Sequence, residues 1–167
     1  MKMNAERLAS ELNRLYREVD QRVRPLLAIH SELLQCRRGC CQCCIDDLTV
    51  FEVEAENVRR HYADLLLKAA PHPEGACAFL DQAGACRIYE HRPYVCRTQG
   101  LPVRWAEERD GQPVEVRDIC PVNAHIAVTP LPPEACWTIG PIEQRIAALE
   151  GGARVPLRSL FAPGSAG

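Results

Sequence analysis

Residues 36–44 read CRRGCCQCC and place five cysteines within nine positions. Helix or strand packing has no use for such crowding, whereas five thiols this close can reach one metal ion from a single loop. Two intervening residues let a turn point both sulfurs at one ion, at about 2.3 Å. This spacing occurs at Cys40–Cys43 and again at Cys41–Cys44. The run therefore predicts a thiolate metal site and leaves open which of its five cysteines are ligands.

A second cysteine-rich stretch follows at residues 76–97, which read ACAFLDQAGACRIYEHRPYVCR. It contains Cys77, Cys86 and Cys96, and Cys120 follows in the sequence ICPVN. A lone cysteine is usually a small buried hydrophobe. Three cysteines in a short, turn-rich stretch instead favour ligation, so these residues are further candidate ligands.

The middle of the chain, residues 71–130, is short of helical periodicity and rich in turn residues. Such a segment builds little core of its own, and metal ligation is an effective way to order it. Cys136 differs because it lies beside Trp137 in a proline-flanked stretch. We expect it to be an ordinary core residue.

The composition narrows the class of protein. The chain has 167 residues, ten cysteines and a formal net charge of −2, which fits one domain and predicts no nucleic-acid surface. No stretch approaches the roughly 20 apolar residues of a membrane-spanning helix, and the charged start does not resemble a signal peptide. We therefore expect a cytoplasmic protein without a membrane contact. Thiols stay free in that reducing compartment unless they bind metal or do redox chemistry, so a disulfide framework is the less favoured alternative.

Two long helices are predicted in the first half of the chain. Apolar residues recur every three or four positions over residues 4–35, as in an amphipathic helix. Pro25 is expected to divide this helix, because proline lacks the backbone donor and clashes with the preceding turn. A second helix is predicted over residues 50–69, with Thr49 and Glu52 at capping-box spacing.

The remaining predicted elements are short. Strands are expected near residues 78–80, 87–89 and 114–117, and helices at residues 92–96 and 141–149. The last helix should end at the glycine pair that follows it.

These elements predict a fold that is mainly α, with an irregular, metal-stapled middle segment and a few short strands, which is a small α+β class. Residues 1–150 are expected to form a single cysteine-cluster metal-binding domain, with an N-terminal helical segment at about residues 4–35. Residues 151–167 are expected to be a C-terminal tail, loosely held from residue 154 onward.

With these residues in view, the chain resembles the YkgJ-type cysteine-cluster family, also described as the CxxCxxCC zinc- or iron-chelating domain. The first motif of the family, with an LT and an acidic helix after it, falls on Cys36, Cys40, Cys43, Cys44, Leu48, Thr49 and Glu52. The second motif and a final CP fall on Cys77, Phe79, Leu80, Cys86, Ile88, Tyr89, Arg92, Pro93, Cys96, Arg97, Cys120 and Pro121. The chain departs from the pattern at Ala78, which replaces a usual proline, at the extra thiol Cys41 and at Cys136.

The resemblance implies eight metal ligands: Cys36, Cys40, Cys43, Cys44, Cys77, Cys86, Cys96 and Cys120. Eight thiolates suit two four-thiolate zinc sites, one iron-sulfur cluster with spare thiols, or a compact multinuclear site. Thiolate softness also admits copper(I). The wide spacing of the later cysteines favours iron-sulfur, because structural zinc domains typically use paired CxxC motifs. Cys41 remains an alternative to one of its neighbours as a ligand.

Two functions agree with this pattern. The first is a noncatalytic protein that holds an iron-sulfur cluster or zinc for structure, electron transfer, metal handling or contact with a protein partner. The second is a redox enzyme or enzyme subunit, by analogy to the similar cysteine pattern of flagellin lysine methylases. No GxGxxG, P-loop, GxSxG or HExxH motif supports another chemistry.

An enzyme would be favoured by a non-cysteine ligand at an open coordination position. Tyr89, His91 and His125 are the candidates, although such residues more often pack or form hydrogen bonds. Arginines near the cysteines would stabilise an anionic thiolate centre, and those in place are Arg37, Arg38, Arg87, Arg92 and Arg97.

Overall fold

The longest element is the helix α1, Ala5–Ile29, in a computed structural model that describes residues 4–37, 39–128 and 130–161. The Asn4 side chain accepts a hydrogen bond from the Arg7 amide at 2.9 Å and caps the helix start. Contrary to the prediction, Pro25 lies inside α1 and does not divide it. Because proline has no amide hydrogen, Pro25 leaves the carbonyl of Gln21 without its helical partner. Both residues are exposed, so water can donate a hydrogen bond to that carbonyl. The helix ends at Ile29, which is earlier than the predicted residue 35.

The second predicted helix begins later than expected and is interrupted. Residues Thr49–Phe51 form the strand β1, and two helices follow, α2 at Glu52–His61 and α3 at Ala63–Lys68. The predicted pairing of Thr49 with Glu52 at the helix start is wrong. Instead, the Glu54 carboxylate accepts the amide hydrogen of Phe51 at 3.2 Å, so the helix starts two residues further along.

A β-hairpin carries most of the strand content. Its strands are β2, Val103–Arg109, and β3, Gln112–Asp118, and they pair antiparallel. Asp110 and Gly111 turn the chain with positive φ angles of 52° and 74°, as expected for a tight hairpin turn. The predicted strand at 114–117 is thus confirmed, and β4, Trp137–Thr138, pairs parallel to β2.

The other two predicted strands, at 78–80 and 87–89, are wrong. Only an isolated bridge between Leu80 and Cys86 forms there. The Asp81 carboxylate accepts the amides of Ala83 and Ala85, both at 2.8 Å, and these bonds hold a local turn instead of a ladder.

Both short helices are confirmed. Helix α4 spans Tyr94–Thr98 and starts directly after Pro93. Helix α5 spans Pro141–Glu150 and ends at Gly151, whose φ of 84° is the left-handed conformation typical of a helix end.

The segment after α5 is part of the core, so the prediction of a loosely held tail is wrong for residues 154–161. Strand β5, Arg154–Pro156, pairs antiparallel with β1. Leu157, Leu160 and Phe161 are buried because their apolar side chains meet residues of the cysteine-rich middle. The rest of the predicted tail, residues 162–167, lies outside the described residues.

Two buried apolar clusters result. In the first core, α1 packs against α5, Tyr94 and Trp137. In the second core, α2 packs against residues 77–80, Ile88 and the segment 157–161. Helices with two small sheets confirm the small α+β class. In the described part of the chain, no helix combines the length and apolar character that crossing a bilayer needs.

Candidate metal centre

The loop that carries the first cysteines is packed against the turn before Cys86. Cys44 donates its amide to the Cys41 carbonyl at 2.9 Å, which closes a tight turn. A side chain on Gly84 would lie 3.1 Å from the Gly39 carbonyl oxygen. Both glycines have positive φ angles, so this close approach of two backbone segments needs residues without a Cβ.

Cys44, Cys77 and Cys86 belong to the second core, and together with Cys96 we call them the inner thiol group. The Cys77 amide donates to the Cys44 carbonyl at 2.9 Å. The Leu80 amide donates to the Cys77 carbonyl at 3.1 Å, and Leu80 bridges to Cys86. Burial raises the pKa of Cys96, and its neighbours Cys77 and Cys86 raise it further.

Helix α4 brings Cys96 to this group, and a buried carboxylate positions its start. Glu54 is 2% exposed and accepts the Tyr94 amide at 2.7 Å and the Tyr16 hydroxyl at 2.9 Å. Burial raises the pKa of Glu54, although these donors and the Phe51 amide lower it in part. Glu54 thereby joins α1, α2 and the first turn of α4.

The other four predicted ligands range from exposed, at Cys36, to buried, at Cys120, and we call them the outer thiol group: Cys36, Cys40, Cys43 and Cys120. Cys120 lowers the pKa of Cys43 through its thiol, after the larger effect of Cys44. Burial raises the pKa of Cys120, and Cys43, Cys36 and Cys40 raise it further.

Asn123 links Cys36 to Cys120, although sequence reasoning did not select it. Its side-chain amide donates to the Cys36 sulfur at 3.1 Å and to the Gly100 carbonyl at 2.8 Å. Its carbonyl oxygen accepts the Gln35 amide at 2.9 Å, and its own amide donates to the Cys120 carbonyl at 2.8 Å. Asn123 is fully buried, and its only signal in the sequence is its place three residues after Cys120.

Gly100 was also missed. Its φ is +91°, and a Cβ there would lie 2.6 Å from the Cys36 sulfur. This position therefore excludes every side chain as long as Cys36 keeps its place.

The two groups meet at adjacent residues, Cys43 and Cys44. A hydrogen bond from the Cys44 thiol lowers the pKa of Cys43 to about 6, and the same bond raises the pKa of Cys44. Cys43 is therefore readily available as a thiolate.

Three of the thiols are affected by the backbone amide two residues further along. The amides of Phe79, Ile88 and Val122 lower the pKa of Cys77, Cys86 and Cys120, respectively. Burial raises the pKa of each of these thiols, and the backbone amide offsets part of that increase. Hydrogen bonds to ligating sulfur stabilise the charged thiolate and tune metal centres.

Guanidinium groups surround the inner thiol group. Arg158 and Arg87 lower the pKa of Cys77, while Arg92 and Arg87 lower that of Cys86, in each case against the larger effect of burial. The Nε of Arg87 is buried and has no hydrogen-bond partner, so it is a donor left over for an anionic centre.

Arg158 was missed because it follows α5, in the segment predicted as a tail. It donates to the Asp46 carboxylate, to the His72 carbonyl at 2.7 Å and to the Ala76 carbonyl at 2.8 Å. Its signal is the apolar pattern around it, since Leu157 and Leu160 flank it and are buried. Arg158 thus joins the cysteine loop to the residues before Cys77.

The other predicted arginines behave differently. Arg97 points away from the thiols, because it donates to Asp20 at 2.8 Å and lies 4.0 Å over the Tyr16 ring. Arg37 is exposed, and Arg38 lies outside the described residues.

The candidate non-cysteine ligands make other contacts. His91 shares a hydrogen bond of 3.0 Å with the Tyr62 hydroxyl and stacks on His61 at 3.7 Å between ring centroids. His125 bonds to the Leu33 carbonyl at 2.8 Å. Tyr89 is 64% exposed, and the Arg92 guanidinium lies 4.1 Å over its ring.

The two remaining cysteines differ in their surroundings. Cys41 packs against the second core, as Cys44 and Cys86 do, and its sulfur lies 3.6 Å from the place of a Cβ on Gly84. Cys136 is buried at 6% exposure, as predicted. Burial has the largest effect on its pKa and raises it, and the charged groups that affect it further are arginines and glutamates, not other cysteines.

All ten cysteines are free. Among the described residues, no three Cys, His, Asp or Glu side chains already stand at the spacing of a metal site. The donor types nevertheless fit a thiophilic metal, because thiolate is a soft ligand and arginines act on the pKa of Cys77 and Cys86.

Comparison with known proteins gives one match. The family model CxxCxxCC, described as "Putative zinc- or iron-chelating domain", matches residues 35–121, which is just over half of the chain. That range contains all eight predicted ligands and Cys41, and it ends before Cys136. Zinc and iron, the metals in this description, are also the metals predicted from the cysteine pattern. No curated protein and no solved structure matches the chain.

Proposed function

We propose, from the premise that the chain belongs to the CxxCxxCC family of zinc- or iron-chelating domains, that it binds zinc or an iron-sulfur cluster through eight cysteines. These are the four cysteines of the inner thiol group and the four of the outer one. The observation that supports the proposal is that cysteines from distant parts of the sequence share contacts, Cys44 with Cys77 directly and Cys36 with Cys120 through Asn123. A folded chain has no packing reason to collect thiols in this way, and metal ligation supplies one.

The charge around the thiols supports metal binding. Four thiolates on one zinc ion leave a charge of about −2, and thiolate-bound iron clusters are also anionic. Arg87, Arg92 and Arg158 offset such a charge at the inner thiol group. The unpartnered Nε of Arg87 suits a thiolate or sulfide acceptor.

The role we propose is noncatalytic. Metal would order residues 71–130, and the centre would serve structure, electron transfer, metal handling or recognition of a protein partner. The wide spacing of Cys77, Cys86 and Cys96 favours an iron-sulfur cluster over zinc, since this spacing differs from the paired motifs of structural zinc domains.

The alternative is a redox enzyme with an open coordination position. Tyr89, His91 and His125 each make another contact in the structure, and this favours the noncatalytic role. Ten free cysteines suit a reducing compartment, so the cytoplasm is the proposed location, without nucleic-acid or membrane partners.

Anaerobic purification followed by metal analysis and a visible spectrum tests this function. Stoichiometric iron with absorption near about 400 nm supports a cluster, whereas a colourless protein with stoichiometric zinc supports the structural role. Absence of both metals, with the thiols paired as disulfides, would contradict the proposed function.

A further inference from the structure

We propose that Asn123 is a positioning residue for the metal centre: it fixes the Cys36 sulfur in place and donates a hydrogen bond to this sulfur when Cys36 binds metal. The inference rests on the metal binding proposed above. It adds a residue that lies outside the matched family domain, which ends at residue 121.

Two backbone groups determine which way the Asn123 side chain faces. The Gln35 amide donates to the side-chain oxygen at 2.9 Å, and the Gly100 carbonyl accepts from the side-chain nitrogen at 2.8 Å. Exchanging the oxygen and the nitrogen would lose both bonds, so these partners settle the orientation of the side chain. The second hydrogen on the nitrogen is then directed at the Cys36 sulfur, 3.1 Å away.

The rest of Asn123 is held as firmly as its side chain. The residue is fully buried, and its backbone amide donates to the Cys120 carbonyl at 2.8 Å. Rotation of the side chain would leave buried polar atoms without partners, which is unfavourable. The donor is therefore already directed at Cys36 before metal binds.

Cys36 depends on this contact more than a core cysteine would. It is exposed, and the Asn123 amide and Gly100 both lie close to its sulfur. A Cβ on Gly100 would lie 2.6 Å from that sulfur, so the space beside it is closely limited. Together these contacts place the first cysteine of the run at residues 36–44 beside the segment that starts at Cys120.

Metal binding should strengthen the bond from Asn123. A thiol sulfur is a weak acceptor, whereas a metal ligand is the charged thiolate, and hydrogen bonds to charged acceptors are the stronger ones. Residues that contact a ligand in this way orient it and raise metal affinity. A purely structural Asn123 would need only its bonds to Gln35 and Gly100, so the bond to Cys36 distinguishes the two roles.

NMR spectroscopy of the wild-type chain, loaded with an NMR-active cadmium isotope in place of zinc, tests the proposal. Scalar coupling to the metal passes through a ligand sulfur and through a hydrogen bond to that sulfur. We expect cadmium to couple to the Cβ protons of Cys36 and to one side-chain amide proton of Asn123.

The other results are distinct. Coupling to Cys36 without coupling to Asn123 would overturn the proposal and leave metal binding intact. Coupling to other cysteines but not to Cys36 would also overturn it. A chain in which no cysteine couples to cadmium, and which takes up neither zinc nor iron, would overturn the proposed function itself.

A variant gives a second readout. Asn123→Asp keeps the acceptor for Gln35 but places an oxygen against both the Gly100 carbonyl and the Cys36 sulfur, so zinc affinity should fall by about 10–100-fold in competition with a chromophoric chelator. Asn4→Asp is the matched control, because the same change at an exposed helix cap preserves the capping oxygen and should leave zinc affinity unchanged. A folded Asn123→Asp protein with wild-type zinc affinity would overturn the proposal, and the cadmium spectra of the wild-type chain decide the question if this variant does not fold.

Discussion

Cys77 lies at 9% exposure in the second core, beside Phe79 and Ile88, whereas Cys36 is exposed and is held from one side by Asn123. Both are thiols of the same loop-rich region, yet apolar packing holds the first and polar contacts hold the second. The difference suggests that a ligand buried in a core contributes to folding, whereas a ligand at the surface is free to exchange metal.

The largest difference between the two groups should come from Cys96→Ser. It removes a predicted ligand whose pKa is raised by burial and further by Cys77, Cys86 and Glu54, so metal and folding should be lost together. Soluble yield, metal content and circular dichroism measure this loss. Cys136→Ser is the control and should keep both properties. A folded, metal-replete Cys96→Ser protein would remove Cys96 from the ligand set.

Phe161→Ala tests whether the segment after α5 supports the inner thiol group. Phe161 is 6% exposed, and its ring centroid lies 4.8 Å from that of Phe79. Truncation of a buried phenylalanine typically costs about 3–5 kcal/mol, which urea unfolding would show. Leu67→Ala, at a side chain 68% exposed, should change stability by less than about 0.5 kcal/mol. Equal effects would mean that residues 157–161 add nothing to the core.

Gly100→Ala tests the outer thiol group alone. The new Cβ would meet the Cys36 sulfur at 2.6 Å, so the zinc affinity of the chain should fall by about tenfold or more. Gly111→Ala is a matched control, because its φ of +74° imposes similar backbone strain with nothing within 4 Å. Competition with a chromophoric zinc chelator measures both affinities, and an unchanged affinity in Gly100→Ala would show that Cys36 is no ligand.

The smallest effect concerns Glu54, which positions α4 and with it Cys96. Burial raises its folded-state pKa above the unfolded value of about 4.5. The folded state then binds the extra proton, so the contribution of Glu54 to stability is largest below pH 4.5 and falls as the pH rises through the folded-state pKa. Glu54→Gln mimics the protonated form, and its stability relative to wild type should rise over that window in urea titrations. A difference that stays constant with pH would contradict the buried, titrating carboxylate.

Local sequence patterns were sufficient for the short helices after Pro93 and before Gly151, because proline and glycine act on adjacent residues. They were insufficient to predict that the helix continues through Pro25. The effect of a proline in a helix depends on whether the carbonyl four residues earlier, which loses its amide partner, can reach water. Spacing also located the cysteine loop.

The grouping of the thiols depends on contacts between residues far apart in the sequence. Cys44 meets Cys77, and Asn123 meets Cys36, and no periodicity records such pairs. The role of Arg158 was hidden for the same reason, because its partners Asp46 and His72 belong to other segments.

Native mass spectrometry of the anaerobically purified wild-type chain gives a direct test of metal binding. We predict an 18.7 kDa chain that carries the added mass of zinc or of iron with sulfide, and that loses this mass on acidification. A chain of bare polypeptide mass, or one lighter by about 2 Da for each disulfide formed, would contradict metal binding by these cysteines.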